Sequence, residues 1–121
     1  MLEYRLPNGN SQIPLLDAQQ AIRMVKLNVG KWKIDPERIG IMGFSAGGHL
    51  ASTAATHFDK GDKRAKDPIN QISCRPDFSI LIYPVITMGP KTHEGSKQRL
   101  LGPDPDDKIV ELFSNEKQVT K

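Results

Sequence analysis

A chain of 121 residues with 37% hydrophobic and 26% charged positions is long enough for one small hydrophobic core. Its apolar runs fall well short of the roughly 20 residues that cross a bilayer, so the sequence excludes a membrane-spanning helix. The formal net charge of +3 is interleaved with acids along the chain, which speaks against a nucleic-acid partner, and the single Cys74 excludes an intrachain disulfide. Met1 to Pro7 lacks the basic start, apolar stretch and small-residue cleavage site of a secretory leader, and both a cytoplasmic and a secreted setting stay open.

Apolar segments alternate between strand-like and helix-like periods, which predicts an α/β fold with a mostly parallel sheet and crossover helices. Leu2 to Leu6 reads as the end of a strand, closed by the turn-forming Pro7-Asn8-Gly9-Asn10. From about Leu15 to Val29, Ala18, Ile22, Val25 and Val29 fall at helical spacing, with Gln19, Arg23 and Lys26 on the other side and Gly30 as the cap. Asp35-Pro36-Glu37-Arg38 predicts one short turn feeding Ile39 to Phe44, an apolar run suited to a central strand covered on both faces. Ala46 through about His57 is rich in small residues and reads as a helix lying close on the sheet.

The run Lys60 to Asp67 alternates in sign and reads as a solvated loop, and Cys74 reads as a packing residue. Phe78 to Tyr83 is a second buried strand ended by Pro84. The stretch through Gly102 reads as loop with one helical turn, after which Asp104-Pro105-Asp106-Asp107 opens a helix carrying Ile109, Val110, Leu112 and Phe113.

Gly43-Phe44-Ser45-Ala46-Gly47 matches G-x-S-x-G, and it sits between an apolar strand and a small-residue helix, where a nucleophile elbow has to be. Such a turn exposes the serine hydroxyl from a strained backbone, so Ser45 is the candidate nucleophile, and glycines at 43 and 47 are expected to leave room for strand and helix to approach. Ala46 follows at the helix start, where its backbone N–H is the candidate oxyanion donor. The phosphate-binding patterns G-x-G-x-x-G and G-x-x-x-x-G-K-[ST] are absent from this turn, and nucleotide binding falls away.

A serine hydroxyl needs a base, usually a histidine held by a carboxylate. His49 shares Ser45's helix and reads as a structural residue, while His57 sits at that helix's far end. His93 could approach from a loop, but no acid follows a strand between Ser45 and His93, because Asp77 precedes its strand and Asp59 to Asp67 lie in the polar loop. Asp104, Asp106 and Asp107 read as helix-start residues.

The strings Glu3-Tyr4-Arg5-Leu6-Pro7, Asp35-Pro36-Glu37-Arg38-Ile39-Gly40 and Gly43 to Leu50 resemble the α/β-hydrolase superfamily, in particular its acetyl-xylan-esterase-like and sugar-hydrolase-like carbohydrate esterase branch. Tyr83-Pro84-Val85, Leu100-Leu101-Gly102, Leu112-Phe113-Ser114 and Val119-Thr120 extend the resemblance over nearly the whole chain. In that family a His-Gly-Gly-type oxyanion loop comes earlier, and the catalytic Asp and His follow later strands. The resemblance therefore implies that residues 1–121 are the central fragment of a single α/β-hydrolase domain, truncated at both ends, with only Ser45 and the Ala46 amide carried over. It implies a small-molecule or carbohydrate ester substrate and no cofactor or metal. A prolyl-oligopeptidase-like serine peptidase or a general carboxylesterase shares the elbow, and a noncatalytic module could keep the scaffold without the reaction. About three parallel strands would leave apolar sheet edges exposed.

Overall fold

A computed structural model describes residues 1–120. Its order is α1 (Ile13–Leu27), α2 (Val29–Trp32), β1 (Gly40–Phe44), α3 (Ser45–Thr56), β2 (Phe78–Ile82), α4 (Glu94–Leu101) and α5 (Asp107–Leu112), with short 3₁₀ turns at Pro68–Gln71 and Asn115–Lys117. The two strands pair in parallel, with Gly40 opposite Phe78 and Phe44 opposite Ile82. Asp77 fixes that register at its starting end. Its N–H donates to the Ile39 carbonyl at 2.8 Å, and its carboxylate accepts from the Ile39 N–H at 2.8 Å.

The core lies between α1, α3 and one face of the sheet. Leu15, Ala18 and Ile22 of α1 meet Leu50 and Ala54 of α3, and Tyr4 and Ile41 close over them. The small residues of α3 let that helix run close along both strands. Cys74 is fully buried and unpaired, with the Asp59 N–H at 3.2 Å from its sulfur, as a packing residue should be. Lys60 to Asp67 forms the expected exposed loop.

Four expectations need correcting. Leu2 to Leu6 forms no strand, because no neighbouring strand lies beside it. The segment is held instead by Arg5, whose backbone N–H and guanidinium both donate to Asp17 at 2.8 and 2.6 Å, and these bonds keep the Asp17 carboxyl below its ordinary range. The first helix ends at Asn28, not Gly30, because the Asn28 side-chain amide donates to the Met24 carbonyl at 2.8 Å and its N–H to Val25. Gly30 falls inside α2. On the polar side of α1, Arg23 Nε donates to the Ile72 carbonyl at 3.0 Å and its guanidinium pairs with Asp59.

The third correction concerns the sheet. Its strand residues were expected to be covered on both faces, yet Met42 and Phe44 remain 59% and 51% exposed, and Phe78 and Ile80 lie bare on the same face. Helices α1 and α3 cover only the other side, so the exposed apolar surface is a face as well as an edge. The fourth is α4, a helix of eight residues where a single turn was expected. His93 caps it, its ring accepting from the Ser96 N–H at 3.2 Å, and histidine is a cap that composition alone does not signal.

Candidate active site

β1 runs into α3 with no intervening residue, so the reversal falls on Ser45, whose φ of +50° lies in the left-handed region. A non-glycine residue held there carries strain of the order of 1 kcal/mol or more, sustained only when its surroundings fix it. Two contacts do so. A Cβ on Gly43 would land on the Gly47 carbonyl, which shows how closely the strand's last turn touches the helix's first. Gly48 packs against Pro84, where an added Cβ would meet the proline Cβ at 2.8 Å. Gly43 fulfils its expected role, but Gly47 does not: an added Cβ there meets nothing within 4 Å, and Gly48 supplies the second close approach.

The segment after β2 completes the clamp. The Val85 N–H donates to the Ser45 carbonyl at 3.2 Å, two residues after Tyr83, which itself has a φ of +35°. Phe44 and Tyr83 set their rings 6.1 Å apart beside the serine. Ser45 and Ala46 are both exposed, and no side chain caps the start of α3. Helix first-turn amides have no acceptor within the helix, so the N-terminal end of α3 is left open to a developing negative charge.

Ser45 lines an open depression with Tyr83, Thr87, Lys91, Thr92 and His93. On the other side Ala46 borders an apolar cavity of about 240 Å³ walled by Leu15, Leu50, Met88, Leu100 and Phe113. Ser45 and Ala46 thus lie between two hollows, of which the Ala46 one is the more apolar although Ser96 and Arg99 also line it.

The histidines divide as follows. His49 is 5% exposed, with Nε2 at 2.9 Å from the Phe113 carbonyl and Nδ1 at 3.4 Å from Thr53, a structural residue as expected. Beside it, the buried Asn115 side-chain nitrogen lies 2.9 Å from Thr53 Oγ1 and 3.2 Å from the His49 carbonyl, tying the last 3₁₀ turn to α3. His57 closes the far end of α3, stacked on Phe113. His93 is brought to the Ser45 depression. None of the three imidazoles bonds to a carboxylate among the described residues. Asp77 is committed at the opposite end of the strands, Asp59 pairs with Arg23, and Asp106 caps α5. Among the described residues no three of His, Cys, Asp and Glu gather into a metal-binding group, and no helix is long and apolar enough to cross a membrane.

Burial, more than any other influence, lowers the pKa of His49, with the Phe113 carbonyl opposing it. The folded chain then binds fewer protons than the unfolded one below the ordinary histidine pKa of about 6.5. Stability from this group is therefore full above about pH 6.5 and declines as the pH falls toward the buried ring's own value. Urea midpoints should drop between pH 7.5 and 5.0, and His49→Gln, which keeps a donor for the Phe113 carbonyl, should flatten that slope. An equal slope in both proteins would contradict the assignment.

The parallel strand, tight elbow and overlying helix are the heart of an α/β-hydrolase fold, and the solved relatives share it. The chain belongs to the BD-FAE family, matching it over residues 1–99. It is 47% identical over 107 residues to endo-1,4-beta-xylanase B of Butyrivibrio fibrisolvens, an overlap of 88% of this chain and 16% of that protein. With the acetylxylan esterase of Xylanibacter ruminicola it shares 38% identity over 98% of this chain and 23% of the relative. The crystal structure of an acetyl ester-xyloside bifunctional hydrolase from Caldicellulosiruptor lactoaceticus superposes with a TM-score of 0.95 at 51% identity, covering 98% of this chain and 44% of that one. The chain thus spans less than a quarter of these two curated relatives, and its family is one of hydrolases.

Proposed function

We propose that this chain is the nucleophile-bearing central part, residues 1–121, of a single α/β-hydrolase domain that removes acetyl groups from xylan-type carbohydrate. The observation that carries the reading is the positive φ of Ser45 at a strand-to-helix junction with its side chain exposed. A base-activated Ser45 Oγ attacks the ester carbonyl, and the Ala46 N–H, at the positive end of α3, stabilises the oxyanion. The tetrahedral intermediate expels the sugar hydroxyl, which takes up the proton, and water then releases acetate from the serine. The general base and its carboxylate are not assigned to this chain's histidines, since among the described residues no imidazole bonds to a carboxylate that could orient it. The names of the xylanase, acetylxylan esterase and acetyl ester-xyloside hydrolase relatives support the carbohydrate side of the reading.

A chimera tests it, with this chain replacing the matching segment of the Caldicellulosiruptor hydrolase, which is 51% identical. Acetate release from acetylated xylan, with no cleavage of prolyl peptides, is the expected result. Preferential peptide cleavage would move the chain to the peptidases, and inactivity toward both in a folded chimera would leave a noncatalytic module.

A further inference from the structure

The loop between β2 and α4 has no regular structure, yet it is pinned along its length. Val85 donates to the Ser45 carbonyl at 3.2 Å, the Ile86 carbonyl accepts from the Asn115 N–H at 3.2 Å, Met88 donates to Ser114 Oγ at 3.1 Å and Thr92 to the Gly89 carbonyl at 3.1 Å. It thereby presents Thr87, Lys91, Thr92 and His93 as one fixed wall of the depression that Ser45 lines. Lys91 makes no ion pair among the described residues, and no carboxylate lines this hollow.

The tautomer of His93 follows from its cap. Nδ1 accepts from the Ser96 N–H at 3.2 Å and lies 3.0 Å from Ser96 Oγ, so in the neutral ring the proton sits on Nε2. A ring in that state has no free lone pair with which to deprotonate Ser45, but it has an N–H to offer. The Ala46 side is the more apolar of the two, with Leu50, Leu100 and Phe113 on its walls beside Ser96 and Arg99. A hydroxyl-rich alcohol is better matched by a wall of donors with an aromatic ring beside them than by a hollow walled mainly by apolar side chains.

We propose that the β2–α4 loop is the wall that receives the sugar portion of the ester, and that His93 binds it as a hydrogen-bond donor through Nε2–H rather than serving as the general base. The assignment rests on Ser45 being the nucleophile of a carbohydrate esterase.

The test uses the 121-residue chain, uniformly labelled with ¹⁵N, with xylotriose as probe. Amide signals of Thr87, Lys91, Thr92 and His93 should move on titration, and the imidazole ¹⁵N spectrum should place the His93 proton on Nε2. His93→Asn is the informative variant, because asparagine is among the best N-cap residues and retains an acceptor for Ser96 while removing the Nε2 donor. Its helical signal should be unchanged and its Kd for xylotriose higher by about 2- to 10-fold, the range for one lost hydrogen bond. Unmoved loop amides, an unaltered Kd or a proton on Nδ1 would each overturn the proposal. Labelling of Ser45 by a fluorophosphonate in the chimera separates the two readings. A labelled serine without sugar binding removes this wall alone, whereas sugar binding with an unreactive serine removes the hydrolase reading.

Discussion

Replacing Gly43 with alanine is expected to destabilise the chain by about 3 kcal/mol or more, whereas the same change at Gly47, four residues on, should be neutral or stabilising. The contrast comes from what each new methyl meets. At Gly43 it lands on the Gly47 carbonyl, a backbone atom in the first turn of α3 that cannot rotate aside as a side chain would. Relief requires the helix start to lift from the strand, and Ser45 lies in that turn, so a chimera carrying the change should lose activity together with stability. At Gly47 the methyl meets nothing within 4 Å, and alanine in a helix is favoured over glycine by as much as about 1 kcal/mol. Thermal or urea unfolding of the two variants reads the difference directly. Equal midpoints would mean that strand and helix do not touch as described.

The second large effect is chemical. Ser45→Ala in the chimera should reduce acetate release from acetylated xylan by at least about a thousandfold while leaving the unfolding midpoint within about 0.5 kcal/mol of the parent. The side chain is exposed, so its removal leaves no cavity, and alanine has no oxygen with which to form the acyl-enzyme. Alanine meets a backbone demand comparable to that on serine at the φ of +50°, so the strain cost changes little. A residual rate within tenfold of the parent would assign the nucleophile elsewhere.

Much of this was legible in the residues themselves. G-x-S-x-G falls between an apolar run and a small-residue helix, and the structure puts the strand-to-helix junction and a positive φ at Ser45. Cys74 and His49 also take the structural parts that position and composition assign them. The misreadings share a cause, which is that local pattern does not reveal partners distant in sequence. Leu2 to Leu6 has strand composition, but a strand exists only beside another, and Arg5 meets Asp17 instead. Ile39 to Phe44 has the composition of a doubly covered strand, while α1 and α3 cover one side only.

The glycine assignment failed for a related reason. The pattern names Gly47, but the close approach comes from Gly48 against Pro84, a contact between residues 36 positions apart. Nothing in Lys91-Thr92-His93 signalled that three long-range hydrogen bonds, through Val85, Ile86 and Met88, would help carry that loop to the serine. Histidine at an N-cap could have been found only by seeing that Glu94 to Leu101 continues as a helix, which its low hydrophobicity obscured.

Fluorophosphonate labelling of the chimera followed by peptide mass spectrometry tests the central claim most directly, because the reagent needs an activated serine hydroxyl and an oxyanion site together. The account predicts a single adduct on the peptide carrying Ser45, lost in Ser45→Ala. No adduct in a folded chimera, or an adduct on a different serine, would contradict it.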